Sequence, residues 1–522
     1  MAKITEKLNS IDNEINLVKS KFREVYFQND KPWIVGYSGG KDSSTVVHLL
    51  FEFIEELPIK ERVKPIFIVS SDTLVENPII KNELEGNLKK IYTKGKSLCA
   101  NINVKLVNPE IDDTFWVNII GRGYPSPNQT FRWCTDRMKI APINKFITDV
   151  VKDSGEVVMI LGVRQGESNS RDKVLAEHST SESLLMKHTT LNNAYVFAPI
   201  ISFDVDTVWH VLLDRVSPWG ADNRKLWKLY SESSINAECP LIVDENIKET
   251  AGSCGNSRFG CWVCTVVNED KSLSGFIASG NDWMQGLLDF RNWLTQIRDD
   301  RSKRMKFRTN GSIYFIEIDF RNDSFVIPNK GKRNKLVISK DGIDEDGNSW
   351  IILGSKREAY NYIKANNVEL DINQDPRIVI FDHGRAFLLG LGPYTFETRM
   401  EILNKLLLTQ RNLKAESNID LITEDELRII NEIWISKGFV NGNVKDIYNE
   451  ITQNDIDIKD DEFNFLNQDD YSLLAEICDN HNIDLVMLNK LIYIQKNSIG
   501  LINRKKVYQQ ISSVIKQDLS NL

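Results

Sequence analysis

The sequence predicts an α/β fold: a mainly parallel sheet flanked by helices, followed by a C-terminal accessory region of α+β character. Between Pro32 and about Phe203, short β-branched runs alternate strictly with amphipathic helical stretches. This alternation is typical of a parallel sheet with helices on both faces. Beyond about residue 280 the alternation ends, and helical patterns and hairpin-like runs follow. We therefore expect two kinds of structure in one chain.

The elements of the first region follow from the spacing of apolar residues. Strands are predicted over 32–37, 64–72, 102–109, 157–163 and 194–200. Helices are predicted over 43–57, 78–96, 138–155 and 204–215. A charged, amphipathic stretch predicts one more helix within residues 1–30, ahead of the α/β domain at 31–280.

The accessory region is predicted to span residues 281–522. Its patterns indicate a long helix with a basic end over 282–308, hairpins over 311–357, and helices over 395–413 and 423–439. We place a domain boundary near residue 280, where the character of the sequence changes.

Composition excludes several classes of protein. The chain has 522 residues, 41% of them hydrophobic and 26% charged, which is typical of a globular protein and not of a disordered or fibrous one. No apolar stretch approaches the roughly 18 residues that span a bilayer, and the charged start does not resemble a signal peptide, so we expect a cytoplasmic location. The formal charge of −8 argues against a surface that is basic throughout, although it allows a local basic patch.

A glycine-rich turn, YSGGKDSS, spans Tyr37–Ser44 between the first strand and a helix. Backbone N–H groups converge in such turns and the helix dipole adds positive potential, so the turn predicts an anion site. The P-loop pattern is excluded because Asp42 stands where it needs Ser or Thr, and the GxGxxG pattern is absent. Lys41 can offset phosphate charge, and Asp42 is suited to a Mg²⁺ ion held with the phosphates.

Within this turn Ser38, Gly39, Gly40, Asp42 and Ser43 match the SGGxDS signature of the PP-loop ATP pyrophosphatases, which have the adenine nucleotide alpha hydrolase-like fold. The resemblance implies that the turn binds the β,γ-pyrophosphate of ATP and that the bond between the α and β phosphates is cut. It also implies ATP contacts from Ser44 in the turn and from Asp72, which follows the second strand.

A second motif, LGVRQGESNSR, covers 161–171 at the end of the fourth strand. Gly162, Arg164, Glu167, Ser168 and Arg171 match the GxRxxES..R pattern of the phosphoadenosine-phosphosulfate-reductase branch of PP-loop proteins. The two arginines can bind phosphate oxygens while the glutamate orients one of them, and a surface ion-pair cluster is the alternative. This arginine, Arg164, joins the lysine and aspartate of the glycine turn, Lys41 and Asp42, as a predicted catalytic residue.

The seven cysteines favour metal or redox chemistry over a disulfide framework, since no secretion signal accompanies them. Cys134 precedes a helix, and Cys261 and Cys264 form a CxxC pair whose thiolates can converge on one metal. Cys239 and Cys254 compete for the fourth position. Four thiolates suit Zn²⁺ or an iron–sulfur cluster equally well, and a redox dithiol is a further alternative.

Together, SGGKDSS, RWCTDRMKIAP, LGVRQGES and the segment from AECPL to CWVC resemble the DndC family, the sulfurtransferases of bacterial DNA phosphorothioate modification. The resemblance implies ATP, Mg²⁺ and a [4Fe–4S] cluster on Cys134, Cys239, Cys261 and Cys264, with Cys254 as the alternative ligand. It implies that a DNA phosphate oxygen attacks the α-phosphorus of ATP, releases pyrophosphate, and is then replaced by sulfur.

The same resemblance implies DNA, a cysteine desulfurase and the further modification subunits DndD and DndE as partners. Two related activities remain open: reduction of phosphoadenosine phosphosulfate or adenylyl sulfate, and thiolation of tRNA by a PP-loop enzyme. A non-enzymatic scaffold or sensor that carries a cysteine cluster and has kept the nucleotide fold is a further alternative. The intact SGGKDS turn suits ATP cleavage better than reduction. DNA phosphates are expected to contact the basic segment 298–308 through Arg301, Lys303, Arg304 and Lys306, with a solvated helix end as the alternative.

Overall fold

A computed structural model gives the structure of most of the chain. It describes residues 2–129, 131–165, 184–188, 190–232, 260–306, 308, 314–327, 336–344, 347, 349–365, 378–414, 417, 419–439, 444–458, 468–481, 483–500 and 504–516. The chain divides into two compact units: the first is Met1–Phe115 with Pro127–Leu288, and the second is Trp116–Ser126 with Asp289–Leu522. The boundary near residue 280 stays a prediction, and it did not include the transfer of Trp116–Ser126 to the second unit.

The first unit contains a doubly wound sheet. Its strands are β1 (Trp33–Gly36), β2 (Ile66–Ser71), β3 (Ile102–Val107), β4 (Val157–Ile160), β5 (Met186–Lys187) and β6 (Ala194–Phe197). Their order is β3-β2-β1-β4-β6-β5, and neighbours run parallel except β5, which is antiparallel to β6. The predicted fold class and its five strands are confirmed; β5 was missed because two residues are too short to show a period.

Helices cover both faces of this sheet. They are α1 (Ala2–Gln28), α2 (Lys41–Glu56), α3 (Pro78–Ser97), α4 (Trp133–Thr135), α5 (Ala141–Ser154), α6 (Val205–Leu213), α7 (Asn223–Glu232) and α8 (Lys271–Ala278), with a π-helical turn Asp136–Ile140 joining α4 to α5. Trp33 and Val35 of β1 pack in the core with α1, α2 and α6, while Ile34 packs with α5 on the other face. The alternation of side chains along β1 therefore places helices on both sides of it.

Strand order reverses between β1 and β4, since β1 lies between β2 and β4 in the sheet. In open parallel sheets ligands bind beyond the carboxyl ends of the strands at such a reversal. The glycine turn follows β1 and the LGVRQ segment follows β4, so both predicted motifs meet at this point of the sheet.

The second unit contains a mixed sheet and several helices. The strands are β7 (Phe315–Arg321), β8 (Ser324–Ile327), β9 (Leu336–Ser339), β10 (Ile351–Leu353), β11 (Ile378–Asp382) and β12 (Arg385–Leu389), in the order β10-β11-β12-β7-β8-β9. The helices are α9 (Gln285–Arg298), which begins before the division, α10 (Lys356–Ala365), α11 (Phe396–Lys414), α12 (Glu424–Ser436), α13 (Val444–Thr452), α14 (Gln468–His481), α15 (Leu485–Lys496) and α16 (Lys505–Lys516). In the described parts of both units, no helix combines the length and the apolar character needed to cross a membrane.

Two predictions for this unit were partly wrong. In the described part of 336–353, β9 and β10 do not pair with each other as a hairpin: β9 pairs with β8, and β10 pairs in parallel with β11. The long helix predicted over 282–308 ends at Arg298. Asp300 accepts a hydrogen bond from the Ser302 N–H at 2.9 Å and starts a separate 3₁₀ turn there, which is the usual role of aspartate at a helix start.

The segment Trp116–Ser126, called here the crossover segment, belongs to the second unit although the chain on either side belongs to the first. Three of its backbone carbonyls and the indole N–H of Trp116 are hydrogen-bonded to distant residues of the second unit. The bonds are Trp116 Nε1–H to Leu421 O (2.6 Å), Trp434 Nε1–H to Ile120 O (2.9 Å), Tyr394 N–H to Gly123 O (2.7 Å) and Arg399 Nη1–H to Gly121 O (3.4 Å). The crossover segment is thus an integral part of that unit's core.

Candidate nucleotide site and cysteine cluster

The glycine turn begins directly after β1 and runs into α2. Gly39 has φ +73°, in the left-handed region that favours glycine. Gly40 is the N-cap residue of α2, and no side chain caps the helix there. The first N–H groups of α2 are therefore left for a ligand or a tertiary partner, as in other anion-binding helix starts.

Two of the three predicted serines line this turn. The Oγ atoms of Ser38 and Ser43 lie 3.1 Å apart, and the Ser43 hydroxyl also donates to Gly40 O at 3.0 Å. Ser44 differs from the prediction, because it is buried and its hydroxyl is hydrogen-bonded to Tyr37. Burial raises the pKa of Tyr37 to about 12, so this bond joins two neutral groups in the core. The Ser44 hydroxyl thus stabilises the turn from the protein core and does not lie with the hydroxyls of Ser38 and Ser43.

The three predicted catalytic residues form one ion-paired array. Arg164 Nε donates to Asp42 Oδ1 at 2.6 Å, and Lys41 Nζ lies 3.2 Å from Asp42 Oδ2. The guanidinium of Arg164 comes from the segment after β4, and its side chain is buried. One carboxylate is thus held between two cations that can each move to a phosphate oxygen. Once Lys41 and Arg164 have moved to phosphate oxygens, the carboxylate of Asp42 could bind a divalent cation.

Gly162 allows the end of β4 to approach the turn closely. A Cβ atom at this position would lie 2.9 Å from the carbonyl carbon and oxygen of Asp42 and 3.0 Å from the Ser43 nitrogen. Side chains do not tolerate contacts this short with backbone atoms, which cannot move aside. The glycine of the second motif therefore has a steric role at the nucleotide site.

Asp72 occupies the end of β2 but its carboxylate is committed to the protein. Oδ1 accepts a hydrogen bond from the Leu74 N–H at 2.7 Å, and Oδ2 pairs with Lys81 Nζ at 2.8 Å. Leu74 has φ +66°, an uncommon conformation for a side chain of that size that this bond helps to hold. The described contacts give Asp72 a structural role in the loop after β2.

Other residues of the second motif, Glu167, Ser168 and Arg171, lie outside the described residues. Their predicted contacts to phosphate stay predictions.

Tyr230 is a residue of this site that the sequence did not predict. It lies in the last turn of α7, and its hydroxyl accepts a hydrogen bond from the Lys41 N–H at 3.2 Å. The ammonium of Lys41 lies 5.4 Å from the centroid of the tyrosine ring. No local pattern could have shown this, because the two residues are 189 positions apart.

The CxxC turn is fixed to the loop after β2. The Trp262 N–H donates to Val75 O at 3.0 Å, and the Cys264 N–H donates to Cys261 O at 3.0 Å. The thiol of Cys261 lies 3.3 Å from Thr73 Oγ1. The CxxC turn contacts the loop after β2, and the glycine turn follows β1. Because β2 pairs with β1 in the sheet, the two features lie after neighbouring strands.

Three predicted cysteines are grouped around one lysine. The ammonium of Lys139 interacts electrostatically with the thiols of Cys134, Cys261 and Cys264, and it lies 3.8 Å from Glu76 Oε1. Burial, and then the Glu76 carboxylate, raises the pKa of the Cys261 thiol. The charge of Cys261 is the main cause that raises the pKa of Lys139. Lys139 lies within the motif RWCTDRMKIAP, but neither it nor Glu76 was singled out from the sequence, because the motif does not show which side chains meet the CxxC pair.

The donor set fits a thiolate-bound metal centre in its chemistry, because thiolates are the usual ligands of structural Zn²⁺ and of iron–sulfur clusters. Among the described residues, no group of three or more His, Cys, Asp or Glu side chains is arranged to hold a metal ion. Both candidates for the fourth thiolate, Cys239 and Cys254, lie outside the described residues. The cluster on four cysteines therefore remains a proposal, with three of its ligands brought near one another.

One of the four cations that the basic segment after α9 was predicted to offer to DNA is buried, while the DNA contacts of the other three stay predictions. Arg304 is buried, and its guanidinium donates to Gly392 O at 2.7 Å and to Arg298 O. Burial lowers the pKa of Arg304 to about 10 and of Lys306 below its ordinary value. Lys303 pairs with Glu401 at 2.6 Å, and Arg301 donates to Leu389 O at 2.7 Å. The prediction was wrong for Arg304, since this side chain stabilises the second unit from inside.

The sheet order and the turn at its reversal define a nucleotide-binding α/β domain of the PP-loop class. Residues 32–267 match the family model described as the phosphoadenosine phosphosulfate reductase domain. The chain therefore contains a PP-loop domain of this family, which supplies the parallel sheet, the glycine turn and the cysteine segment.

Comparison with individual proteins gives more distant matches. An uncharacterized protein of Methanocaldococcus jannaschii is 26% identical over 255 residues, which make up 49% of this chain and 40% of that protein. The match thus spans less than half of the length of this curated relative.

Two solved structures are similar to parts of the chain. Phosphoadenylyl-sulfate reductase from Candida auris, in a phosphate complex, is 11% identical with a TM-score of 0.26, over 42% of this chain and 90% of that one. The U34-tRNA thiolase NcsA from Methanococcus maripaludis, with its [4Fe–4S] cluster, is 12% identical with a TM-score of 0.26, over 55% of this chain and 80% of that one.

Proposed function

We propose that this protein is an ATP pyrophosphatase and sulfurtransferase that replaces a non-bridging oxygen of a DNA backbone phosphate by sulfur, in the manner of the DndC family. The observation that carries the proposal is the array of Lys41, Asp42 and Arg164 at the glycine turn. Its two cations suit a polyphosphate, and its carboxylate suits the cation that accompanies one. The cysteines grouped near Lys139, of which Cys261 contacts Thr73 in the loop after the neighbouring strand, support sulfur chemistry close to that nucleotide.

The first step activates the DNA phosphate. A non-bridging oxygen of the phosphate forms a bond to the α-phosphorus of ATP, and the bond from that phosphorus to the α,β-bridging oxygen breaks. Pyrophosphate leaves with the electron pair. The N–H groups of the turn, the hydroxyls of Ser38 and Ser43, and Lys41 stabilise the charge that develops on pyrophosphate, so they act on the transition state. Arg164 would bind the α-phosphate as it becomes AMP on DNA.

Asp42 is the residue that would hold Mg²⁺, which supplies further positive charge to the departing phosphates when bound. The pairing of Asp42 with Lys41 and Arg164 holds both of its carboxylate oxygens in place. It also provides a simple exchange, because each phosphate oxygen that binds a cation releases one carboxylate oxygen.

The second step installs sulfur. A cysteine desulfurase supplies a persulfide, whose terminal sulfur forms a bond to the activated DNA phosphorus while the bond to the AMP oxygen breaks. AMP leaves with that electron pair. A second thiol then attacks the remaining sulfur–sulfur bond, which leaves sulfur on phosphorus and a disulfide between the thiols. Cys134, Cys261 and Cys264, with Cys239 or Cys254, would hold an iron–sulfur cluster, which supplies redox chemistry or a sulfur-binding iron when present.

DNA recognition is proposed to rest largely on partner subunits of the DndD and DndE type. The net charge of −8 disfavours broad attraction to DNA, and Arg304, one of the cations predicted to contact DNA phosphates, is buried. Sequence-independent affinity for DNA comes mainly from such cations. The proposed partners would supply them.

A second candidate, reduction of a sulfonucleotide, is favoured by the description of the matched family. The two are separated by their products. The protein, anaerobically prepared, is given ATP, Mg²⁺, a DNA duplex, cysteine and a cysteine desulfurase, and pyrophosphate and phosphorothioate dinucleotides are measured. Parallel reactions contain phosphoadenosine phosphosulfate with a thiol reductant, or tRNA in place of DNA.

We expect pyrophosphate release and sulfur in DNA, both lost in Asp42→Asn. The matched control is Asp149→Asn, which removes an exposed carboxylate that pairs with Lys152 on α5 and should leave both activities unchanged. Sulfite as the product would establish the reductase instead, and sulfur found in tRNA alone would establish a thiolase.

A further inference from the structure

The hydroxyl of Tyr230 is hydrogen-bonded to a backbone N–H of the glycine turn that a phosphate would otherwise bind. It accepts a hydrogen bond at 3.2 Å from the N–H of Lys41, which is the first residue of α2. A Cβ atom on Gly40 would lie 3.2 Å from the same hydroxyl oxygen. The hydroxyl therefore lies against the backbone of the turn at two consecutive residues.

An N–H group at a helix start makes one strong hydrogen bond at a time. Such N–H groups are the ones that bind phosphate oxygens at the start of helices. The hydroxyl of Tyr230 and a phosphate oxygen would thus compete for the N–H of Lys41. The Lys41 ammonium, 5.4 Å from the ring centroid, is also held on the tyrosine side of the turn.

Buried residues fix the start of α7. Asn223 at the start of the helix donates its side-chain N–H to Leu212 O at 2.7 Å and is buried, and Leu226 is buried as well. Tyr230 is half-buried in the last turn, where its ring packs edge-on against Trp209 at 5.4 Å. Displacement of its hydroxyl would cost part of this ring packing, which the hydrogen bonds of the turn to phosphate must offset.

We propose that Tyr230 is a gate on the glycine turn: its hydroxyl holds the Lys41 N–H while the turn is empty, and the phosphates that enter must displace it. The inference rests on the proposed function only in that the turn binds phosphate groups. Displacement also moves the ring from the Lys41 ammonium, which then turns to the phosphates. When pyrophosphate leaves, the hydroxyl regains its bond, so the gate speeds product release.

The test is Tyr230→Phe, which removes the hydroxyl and keeps the ring against Trp209. Binding of pyrophosphate and of AMP is measured by calorimetry. Because one competing hydrogen bond is lost, the dissociation constant for pyrophosphate should fall by about two- to tenfold, while that for AMP should not change. In turnover with ATP, KM and kcat should both decrease, since pyrophosphate leaves more slowly.

The matched control is Tyr195→Phe, another tyrosine of the first unit, whose hydroxyl donates to Glu156 at 2.8 Å. It should leave the affinity for pyrophosphate unchanged. Hydrogen exchange adds a readout of position: pyrophosphate should speed exchange in the last turn of α7 in the wild type. In Tyr230→Phe that exchange should already be fast and should not respond.

Equal affinities of the wild type and Tyr230→Phe for pyrophosphate would overturn the gate alone. Weaker binding by the variant would also overturn it, because the hydroxyl would then be a phosphate ligand. A wild-type protein that binds neither pyrophosphate nor ATP would instead overturn the proposed function, and the gate with it.

Discussion

An alanine at position 162 should separate the end of β4 from the glycine turn. The new Cβ would meet the carbonyl carbon and oxygen of Asp42 at 2.9 Å and the nitrogen of Ser43 at 3.0 Å. These are backbone atoms of the first turn of α2, so no rotamer change relieves the contact. The chain has to move, and the atoms that move are those proposed to surround pyrophosphate.

The size of the effect follows from these distances. An ordinary contact needs at least 3.4 Å, so the turn must retreat by about half an ångström from the observed 2.9 Å. Overpacking of this kind typically costs about 1–3 kcal/mol of unfolding free energy. Weakening one charge-assisted hydrogen bond to a phosphate costs about 1.5 kcal/mol more in binding, or about tenfold in affinity for pyrophosphate.

The assay compares Gly162→Ala with Gly86→Ala. Gly86 lies within α3, and a Cβ there would meet nothing within 4 Å. Alanine should therefore stabilise this helix by about 0.5–1 kcal/mol without touching the site. Thermal unfolding and calorimetric titration with pyrophosphate are measured for the wild type and both variants.

We expect Gly162→Ala to unfold at a lower temperature and to bind pyrophosphate about ten times more weakly, while Gly86→Ala unfolds at a higher temperature and binds normally. Wild-type affinity in Gly162→Ala would refute the reasoning, since the turn would then tolerate the displacement. An equal loss of affinity in Gly86→Ala would refute it as well.

Three further predictions concern stability. Thr423→Ala removes the N-terminal capping box of α12 and should lower the unfolding free energy by about 1 kcal/mol in urea titrations, with Thr423→Ser close to wild type. Burial and neighbouring cations lower the pKa of Lys437 from 10.5 to about 7, so wild-type stability should rise with pH between those values, and Lys437→Met should show a smaller rise. An identical rise in both proteins would contradict this. Burial alone would raise the pKa of Glu52, but hydrogen bonds from His48 and Arg215 lower it from 4.5 to about 2. The stability that ionised Glu52 contributes should be present above pH 4.5 and lost towards pH 2 in acid unfolding. Glu52→Gln should lose less unfolding free energy over that range.

The sheet of the first unit could be predicted because its signals are local. All four residues of β4 are buried, and a parallel strand covered on both faces is read from a continuous apolar run. The glycine turn is equally local, since Gly39 and Gly40 adjoin the residues they position. Arg164 was selected by its motif, and the strand order of the structure explains why it meets the turn: both lie at carboxyl ends of neighbouring strands.

The remainder of the site depends on contacts that no local pattern contains. Tyr230 reaches Lys41 from 189 positions away, and Lys139 lies among cysteines from two separate segments. Arg304 was misassigned for a related reason: charge predicts exposure, but carbonyl oxygens elsewhere in the second unit satisfy its donors. Burial of a cation is decided by such distant acceptors.

The crossover segment makes the accessory region inseparable from the domain that interrupts it. A chain that began at residue 289 would lack Ile120, whose carbonyl accepts from the indole of Trp434, and Leu421 would lose the indole of Trp116. Two buried polar groups would be left without partners in one cut. Exchange of this region between relatives by recombination would thus require a matching change in the eleven residues of Trp116–Ser126.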